Sequence, residues 1–392
     1  MLYRNGSPYF IKGIAGNSHL AEAVEAGANS FRTWGVDYAG VDLDSAQARG
    51  MSVFLNVWLS HNAEDYQNTT YLNDIRLQVR TLVAAYKNHP ALLMWSLGNE
   101  NYLATGKSKL VLTFTNELAG MIHAEDPNHP VSTILVGTGT DDINAVVEYA
   151  PEIDVIAINS YAAVHLVPGW MEASNYDGPY VITEWGVNGH WEVGTTSWGW
   201  PVEQTSHEKA ESYLERYQAF TADAAHCLGS YAFFWGQKQE RTPTWYSMFV
   251  EDNVTGLSLN GETCPTIDVM TYCWTGSWPA NRSPDVSDLT LNNKRANQSV
   301  TLTTATTYPA VVTATDPDGD QLAYIWEIQE EPTDLGSFGS TESRPRRIGA
   351  EIKTTQPSMT LPAMSKGRYL LFVYVLDGQG HVGTANIPFQ VQ

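Results

Sequence analysis

From residue 8 to about residue 276, short apolar runs rich in β-branched and aromatic residues alternate with stretches that repeat at helical spacing. Eight runs read as strands: Phe10 to Ala15, Ser30 to Gly35, Ser52 to Leu59, Leu92 to Asn99, Val131 to Val136, Val155 to Tyr161, Tyr180 to Glu184 and Gly229 to Trp235. Most are apolar throughout rather than alternating, as expected of parallel strands buried on both faces. Between the third and fourth runs, Ile75, Val79, Leu82, Val83 and Tyr86 form one helical stripe, with Asn73 as the expected cap and His89-Pro90 as the stop. After the seventh, Ser206 is the expected cap of a helix that buries Ala210, Tyr213, Leu214 and Tyr217 and ends at Cys227. Eight βα units predict an α/β fold, a closed (β/α)8 TIM barrel over residues 1–278.

The pattern then changes. Residues 277–285 hold two prolines and no periodicity, and are the expected domain boundary. From residue 286 to 392, alternating strands such as VTLTTA, AVVTATD, LAYIWEI, YLLFVYVLD and TANIPFQV are separated by Gly, Asp and Pro turns. They predict a small all-β immunoglobulin-like sandwich.

Charge and composition narrow the partners. With 43 acidic and 22 basic residues, a net −21, the chain lacks the clustered cations a phosphate backbone needs, so nucleic acid is excluded. No run of 18 or more apolar residues occurs, so no membrane insertion is expected. A monomer is expected, secreted, periplasmic or on a cell surface, with a leader absent from this sequence. The three cysteines, Cys227, Cys264 and Cys273, lack metal-type spacing; Cys264 to Cys273 is a local bridge candidate, and three thiols are the alternative. Thirteen Trp residues, many in loop-like segments, suit flat apolar faces such as sugar rings.

In a barrel of this kind, chemistry sits where strands end and βα loops begin. The fourth apolar run stops abruptly at Asn99 and Glu100, and the seventh stops at Glu184. Two carboxyl groups at the mouths of opposite strands can face each other across one sugar bond.

The pair WSLGNE and VITEWG resembles the acid/base and nucleophile motifs of clan A glycoside hydrolases, in particular bacterial family 2-type TIM-barrel domains and β-1,3-glucan-active relatives. The resemblance covers most of residues 8 to 276. It implies that Glu184 is the nucleophile, Glu100 the general acid/base and Asn99 a donor to the sugar 2-hydroxyl. It further implies that Arg32 in FRTWG keeps Glu184 ionised, that Tyr161 in INSYA donates to Glu184, and that Trp235 in FFWG floors the cleavage subsite. The sequence lacks the N-terminal sandwich domains that often precede such barrels, which weakens transfer of exo-acting specificities.

Trp34, Trp58, His61, Trp185 and Trp245 complete the candidate substrate-binding set, all in or beside βα loops; His61 is equally read as part of a local hydrogen-bond network. Trp95 and Trp274 read as core. The expected function is endo-β-1,3-glucan hydrolysis with retention, on a β-glucan polysaccharide or oligosaccharide. Glucanosyl transfer is one alternative, and a non-catalytic carbohydrate-binding protein is another. No cofactor is required. The turn Asp316-Pro-Asp-Gly-Asp320 reads foremost as a plain acidic turn, and alternatively as part of a structural calcium site.

Overall fold

A computed structural model describes residues 1–137, 139–336, 339–340 and 342–392. The chain forms two compact units: residues 1–185 with 216–233, and residues 186–215 with 234–392. This division does not fall at residues 277–285, where composition changes.

The first unit contains the closed barrel. Its strands are β1 (Ile11–Ala15), β2 (Ser30–Arg32), β3 (Ser52–Val57), β4 (Leu92–Asn99), β5 (Val131–Val136), β6 (Val155–Asn159), β7 (Tyr180–Trp185) and β8 (Cys227–Ala232), paired in sequence order, with β8 closing on β1. All eight pairings between them are parallel. All eight residues of β4 and all six of β7 are buried, which accounts for their unbroken apolar reading. An antiparallel hairpin, Tyr3–Arg4 with Ser7–Pro8, precedes β1.

Several local expectations change. The helix after β3 spans Thr69–Tyr86 and is capped by Asn68, whose Oδ1 accepts from the N–H groups of Thr70 and Tyr71. Asn73, the expected cap, lies inside the helix and accepts from Arg76, because 69–72 already hold helical geometry ahead of it. The helix Ser206–Thr221 is preceded by a reciprocal pair in which the Glu208 N–H donates to Thr205 Oγ1 and the Thr205 N–H to Glu208 Oε2. That is a capping box one residue earlier than Ser206, whose hydroxyl instead accepts from the Thr384 N–H. Cys227 opens β8 rather than ending the helix, so this strand begins and stops earlier than its aromatic run suggests. All three cysteines are free thiols, so Cys264 and Cys273 are not bridged.

The second unit holds strands β9 (Asp285–Leu291), β10 (Val300–Leu302), β11 (Tyr308–Thr315), β12 (Ala323–Glu330), β13 (Ile352–Thr354), β14 (Ser358–Leu361), β15 (Gly367–Leu376) and β16 (Val382–Val391). They form one sheet of order β9-β11-β14 and another of order β10-β16-β15-β12-β13. Inward residues of both, among them Val286, Leu291, Val312, Trp326, Val373 and Ile387, share one core. The opposite face of the larger sheet is also buried: Ile325, Leu370, Phe372 and Tyr374 pack with Trp200, Val250, Leu257, Leu259 and Cys264. The segments after β7 and β8 thus share a core with the sandwich, which is why they group with it.

The carboxyls of the Asp316 turn have partners of their own. Asp316 Oδ1 accepts from the N–H groups of Asp318 and Asp320, Asp318 accepts from the Arg282 N–H, and Asp320 from Gln379. Among the described residues, no group of three or more His, Cys, Asp or Glu could hold a metal ion.

Candidate active site

The two strands that carry the candidate carboxyls are both irregular just before them. Along β4, pairing to β5 advances three residues against two between Ser96 and Asn99; along β7, pairing to β6 advances two against one between Ile182 and Glu184. Such bulges re-aim the side chains that follow. In β4 the bulge contains Gly98 at φ +78°, where a Cβ would stand 2.2 Å from Asn101 Oδ1. Glu100 itself takes φ 59°, an uncommon conformation for a residue with a side chain, and its N–H donates to the Ile134 carbonyl. Backbone strain of this kind gathers at functional sites.

Around Glu184 three donors converge. Arg32 Nη1 reaches Oε1 at 3.0 Å, Trp34 Nε1 reaches Oε1 at 2.9 Å, and the Tyr161 hydroxyl reaches Oε2 at 3.0 Å. Arg32 is fully buried, with its guanidinium over the Trp34 ring, 4.8 Å from the centroid. Burial pulls the Arg32 pKa down, opposed first by the charge of Glu184 and then by that of Glu100, so this cation feels both carboxylates. Its Nη2 donates to Asn99 Oδ1 at 2.9 Å. The Asn99 amide thereby presents oxygen to Arg32, and among the described residues nothing accepts from its Nδ2.

A residue not singled out in the sequence links the two carboxyls. Asn159, at the end of β6, accepts through Oδ1 from Arg32 Nη1 at 3.3 Å and from Thr183 Oγ1 at 2.8 Å. Arginine has no acceptor, so this fixes the amide with Nδ2 turned the other way, where it donates to Glu100 Oε1 at 2.8 Å and Asn99 Oδ1 at 3.3 Å. One amide therefore contacts Glu100 on one side and, on the other, the guanidinium that holds Glu184. Asn159 and Thr183 were detectable by the rule that pointed to Glu100: each is polar at the end of an otherwise apolar strand.

Phe233, directly after β8, sets its ring edge-on to both Trp34 and Tyr161, with centroids 6.1 and 5.8 Å away. It forms an apolar wall beside Glu184's partners. Trp235, the expected floor, is fully buried against Phe249 and Trp274 and offers no open face. Trp185 is likewise buried, on Tyr217 and Phe220, and Trp245 is buried with its N–H on the Asn188 carbonyl. These three rings are therefore not stacking surfaces. Trp58, by contrast, is 45% exposed, and His61 lies beside it while meeting the Asn99 carbonyl at 2.7 Å. A cavity of about 630 Å³ at the other end of the barrel, where Leu92 and Val155 begin their strands, contains neither carboxyl.

The family model for "Glycosyl hydrolases family 2, TIM barrel domain" matches residues 37–240, more than half of the chain. The chain belongs to glycosyl hydrolase family 2. Among curated proteins, family 2 similarity extends to a β-glucuronidase of Paenibacillus borealis, 30% identical over 182 residues, which are 44% of this chain and 29% of that protein. A shorter stretch of 90 residues is 27% identical to mannan endo-1,4-β-mannosidase F of Aspergillus clavatus, covering 23% of this chain and 21% of that one. The matched stretches are thus under a third of these relatives' own length. Among solved structures, a GH2 β-galacturonidase from Eisenbergiella tayi shares the fold over 70% of this chain and 52% of its own, at a TM-score of 0.54 and 18% identity. Bacteroides uniformis β-glucuronidase 2 covers 99% of this chain and 46% of its own, at a TM-score of 0.52 and 13% identity.

Proposed function

We propose that this family 2 chain is a retaining β-glycoside hydrolase that cuts a β-linked polysaccharide internally, by double displacement. Glu184 attacks the anomeric carbon while Glu100 gives its proton to the departing oxygen, leaving a covalent glycosyl-enzyme. Glu100, now a carboxylate, then takes a proton from water as that oxygen attacks the same carbon and frees Glu184. This chemistry needs no cofactor.

The observation that carries the reading is the Asn159 amide between Glu100 and the Arg32 that holds Glu184. The division of roles follows from surroundings: three donors, one of them a cation, suit the group that must be charged to attack. Glu100, half-buried, suits the group that exchanges a proton with substrate and water.

The β-1,3-glucan expectation has no counterpart in the relatives' names, which specify β-glucuronidase, β-galacturonidase and endo-β-mannosidase. A uronide is therefore the second reading. What favours a neutral sugar is that Arg32, the cation at the two strand ends, is already committed to Glu184, Asn99 and Asn159.

The test is a panel of laminarin, β-mannan, a polyuronide and aryl β-glycosides, with wild type beside Glu184→Gln and Glu100→Gln. We expect wild type to release a β-anomer first, seen by NMR. Both variants should lose activity, with Glu100→Gln losing least on glycosides whose leaving group needs no proton. An α-anomer released first, or a wild type inactive across the panel, rules the proposal out. Products longer than the substrate would assign the second step to transfer.

A further inference from the structure

The loop after β3 presents one exposed tryptophan, and the way it is held connects it to Glu100. Val57 and Leu59 on either side are buried at 1% and 0% exposure, while Trp58 turns outward at 45%. The loop is fixed from several directions: the Ser60 N–H donates to the Tyr71 hydroxyl, Ser60 Oγ to Asp65, and the Tyr66 hydroxyl to the Ser60 carbonyl. It is also tied to the residues flanking Glu100. Asn101 Nδ2 donates to the carbonyls of Leu59 at 2.5 Å and Ser60 at 2.9 Å, and His61 Nε2 donates to that of Asn99 at 2.7 Å. The Trp58 ring leans on His61, with centroids 4.8 Å apart, and borders an open concavity of about 750 Å³ whose polar rim includes Asn62, Asp65 and Gln78.

A large apolar ring held rigidly in water beside carboxyl and amide groups matches the chemistry of a pyranose, which offers C–H bonds on its face and hydroxyls at its edge. We infer that Trp58, braced by His61, is the platform for a sugar ring on the leaving-group side of the cleaved bond. This rests on the proposed function, because it is Glu100 that protonates the leaving oxygen, and the loop is pinned to the residues on both sides of Glu100. The side of the site beyond Glu184 is walled instead by Trp34, Tyr161 and Phe233. A substrate with sugars on its leaving side gains this surface, and an aryl glycoside does not, so Trp58 selects for chains.

The test compares Trp58→Ala and Trp58→Phe in the full chain on oligosaccharides and on the aryl β-glycoside of the same sugar. The loss of kcat/KM in Trp58→Ala should be roughly tenfold greater on the oligosaccharide than on the aryl glycoside, with Trp58→Phe recovering most of it. Equal losses on both substrates, or none on either, overturn the inference. Calorimetry separates it from the parent reading: oligosaccharide should bind Glu184→Gln roughly tenfold more tightly than Glu184→Gln combined with Trp58→Ala. Unchanged affinity overturns the platform. A wild type that cleaves nothing removes the proposed function and overturns the leaving-side assignment with it, even where that affinity difference still marks Trp58 as a sugar-binding surface.

Discussion

Each unit buries a glutamate among donors, and the two are finished differently. In the second unit, Glu203 receives Lys209 Nζ and Thr244 Oγ1 on Oε1, and Thr242 Oγ1 and Asn386 Nδ2 on Oε2. Its four acceptor positions are filled. In the first unit, among the described residues, Glu184 receives Arg32 and Trp34 on Oε1, but on Oε2 only Tyr161. A carboxylate carries about four acceptor sites, so Glu184 keeps one for another atom. The lesson is that burial and a cation do not distinguish chemistry from architecture, whereas an incomplete donor set does. Arg344, which bridges Glu251 and Glu327 while Tyr374 also donates to Glu327, belongs with Glu203.

The widest separation comes from neutralising each glutamate. Glu184→Gln should lower kcat/KM by about 10³-fold or more, because the attacking oxygen is lost, and should cost stability as well, because the buried Arg32 loses its counter-charge. Glu203→Gln should cost stability alone. It leaves the buried Lys209 ammonium without its counter-charge, a loss of about 3 kcal/mol or more in urea unfolding, with kcat per folded molecule retained. Lys209→Met in the same background should recover part of that loss. If Glu203→Gln inactivates without destabilising, counting filled acceptor positions does not tell the two kinds of site apart.

The same contrast explains what the sequence disclosed. Glu100 and Glu184 were legible because an apolar strand ending in a carboxyl has no folding reason to do so. Asn159 obeys the same rule but was masked by Tyr161 two residues on, a more familiar donor. The αL turn at Glu100 was not legible at all, since nothing local distinguishes it from a continuing strand; only Gly98 hints at the bulge. The loop tryptophans could not be sorted from the sequence, because composition places Trp in loops but cannot tell an exposed ring from one buried under long-range contacts. Trp245, 2% exposed, and Trp58, 45% exposed, look alike in sequence. The grouping of the segments after β7 and β8 with the sandwich was not legible for the same reason: they find their core on Ile325, Leu370 and Phe372, more than sixty residues away in the chain.

A third buried carboxyl sharpens the rule through pH. Asp268 accepts from the Ser283 N–H, and burial pushes its pKa up to about 6. A carboxyl with a raised folded pKa binds its proton more tightly when folded. As pH rises from about 4, the unfolded chain releases that proton first, so stability falls until about pH 6, by at most about 3 kcal/mol. Asp268→Asn cannot titrate, so the gap in unfolding free energy between it and wild type should widen across that window and stay level above it. A gap constant from pH 4 to 7 would show that Asp268 is solvated like a surface acid.

The smallest expected effect tests whether the site's unit can be weakened without touching its donors. Asn68 caps the Thr69–Tyr86 helix through two accepted N–H bonds, whereas Asn73 lies inside the helix and serves only Arg76. Replacing Asn68 by Ala strands two N–H groups at the first turn, and should cost about 1 kcal/mol. Asn73→Ala removes one exposed side-chain contact and exchanges Asn for the better helix former, so it should shift stability by less than about 0.5 kcal/mol. Neither position contacts Glu100 or Glu184, so kcat/KM should be unchanged in both. Urea titration with parallel kinetics checks this. If Asn68→Ala lowers activity in step with stability, the donor set around Glu184 depends on this helix, and its geometry is less self-supporting than the hydrogen bonds from Arg32, Trp34 and Tyr161 imply.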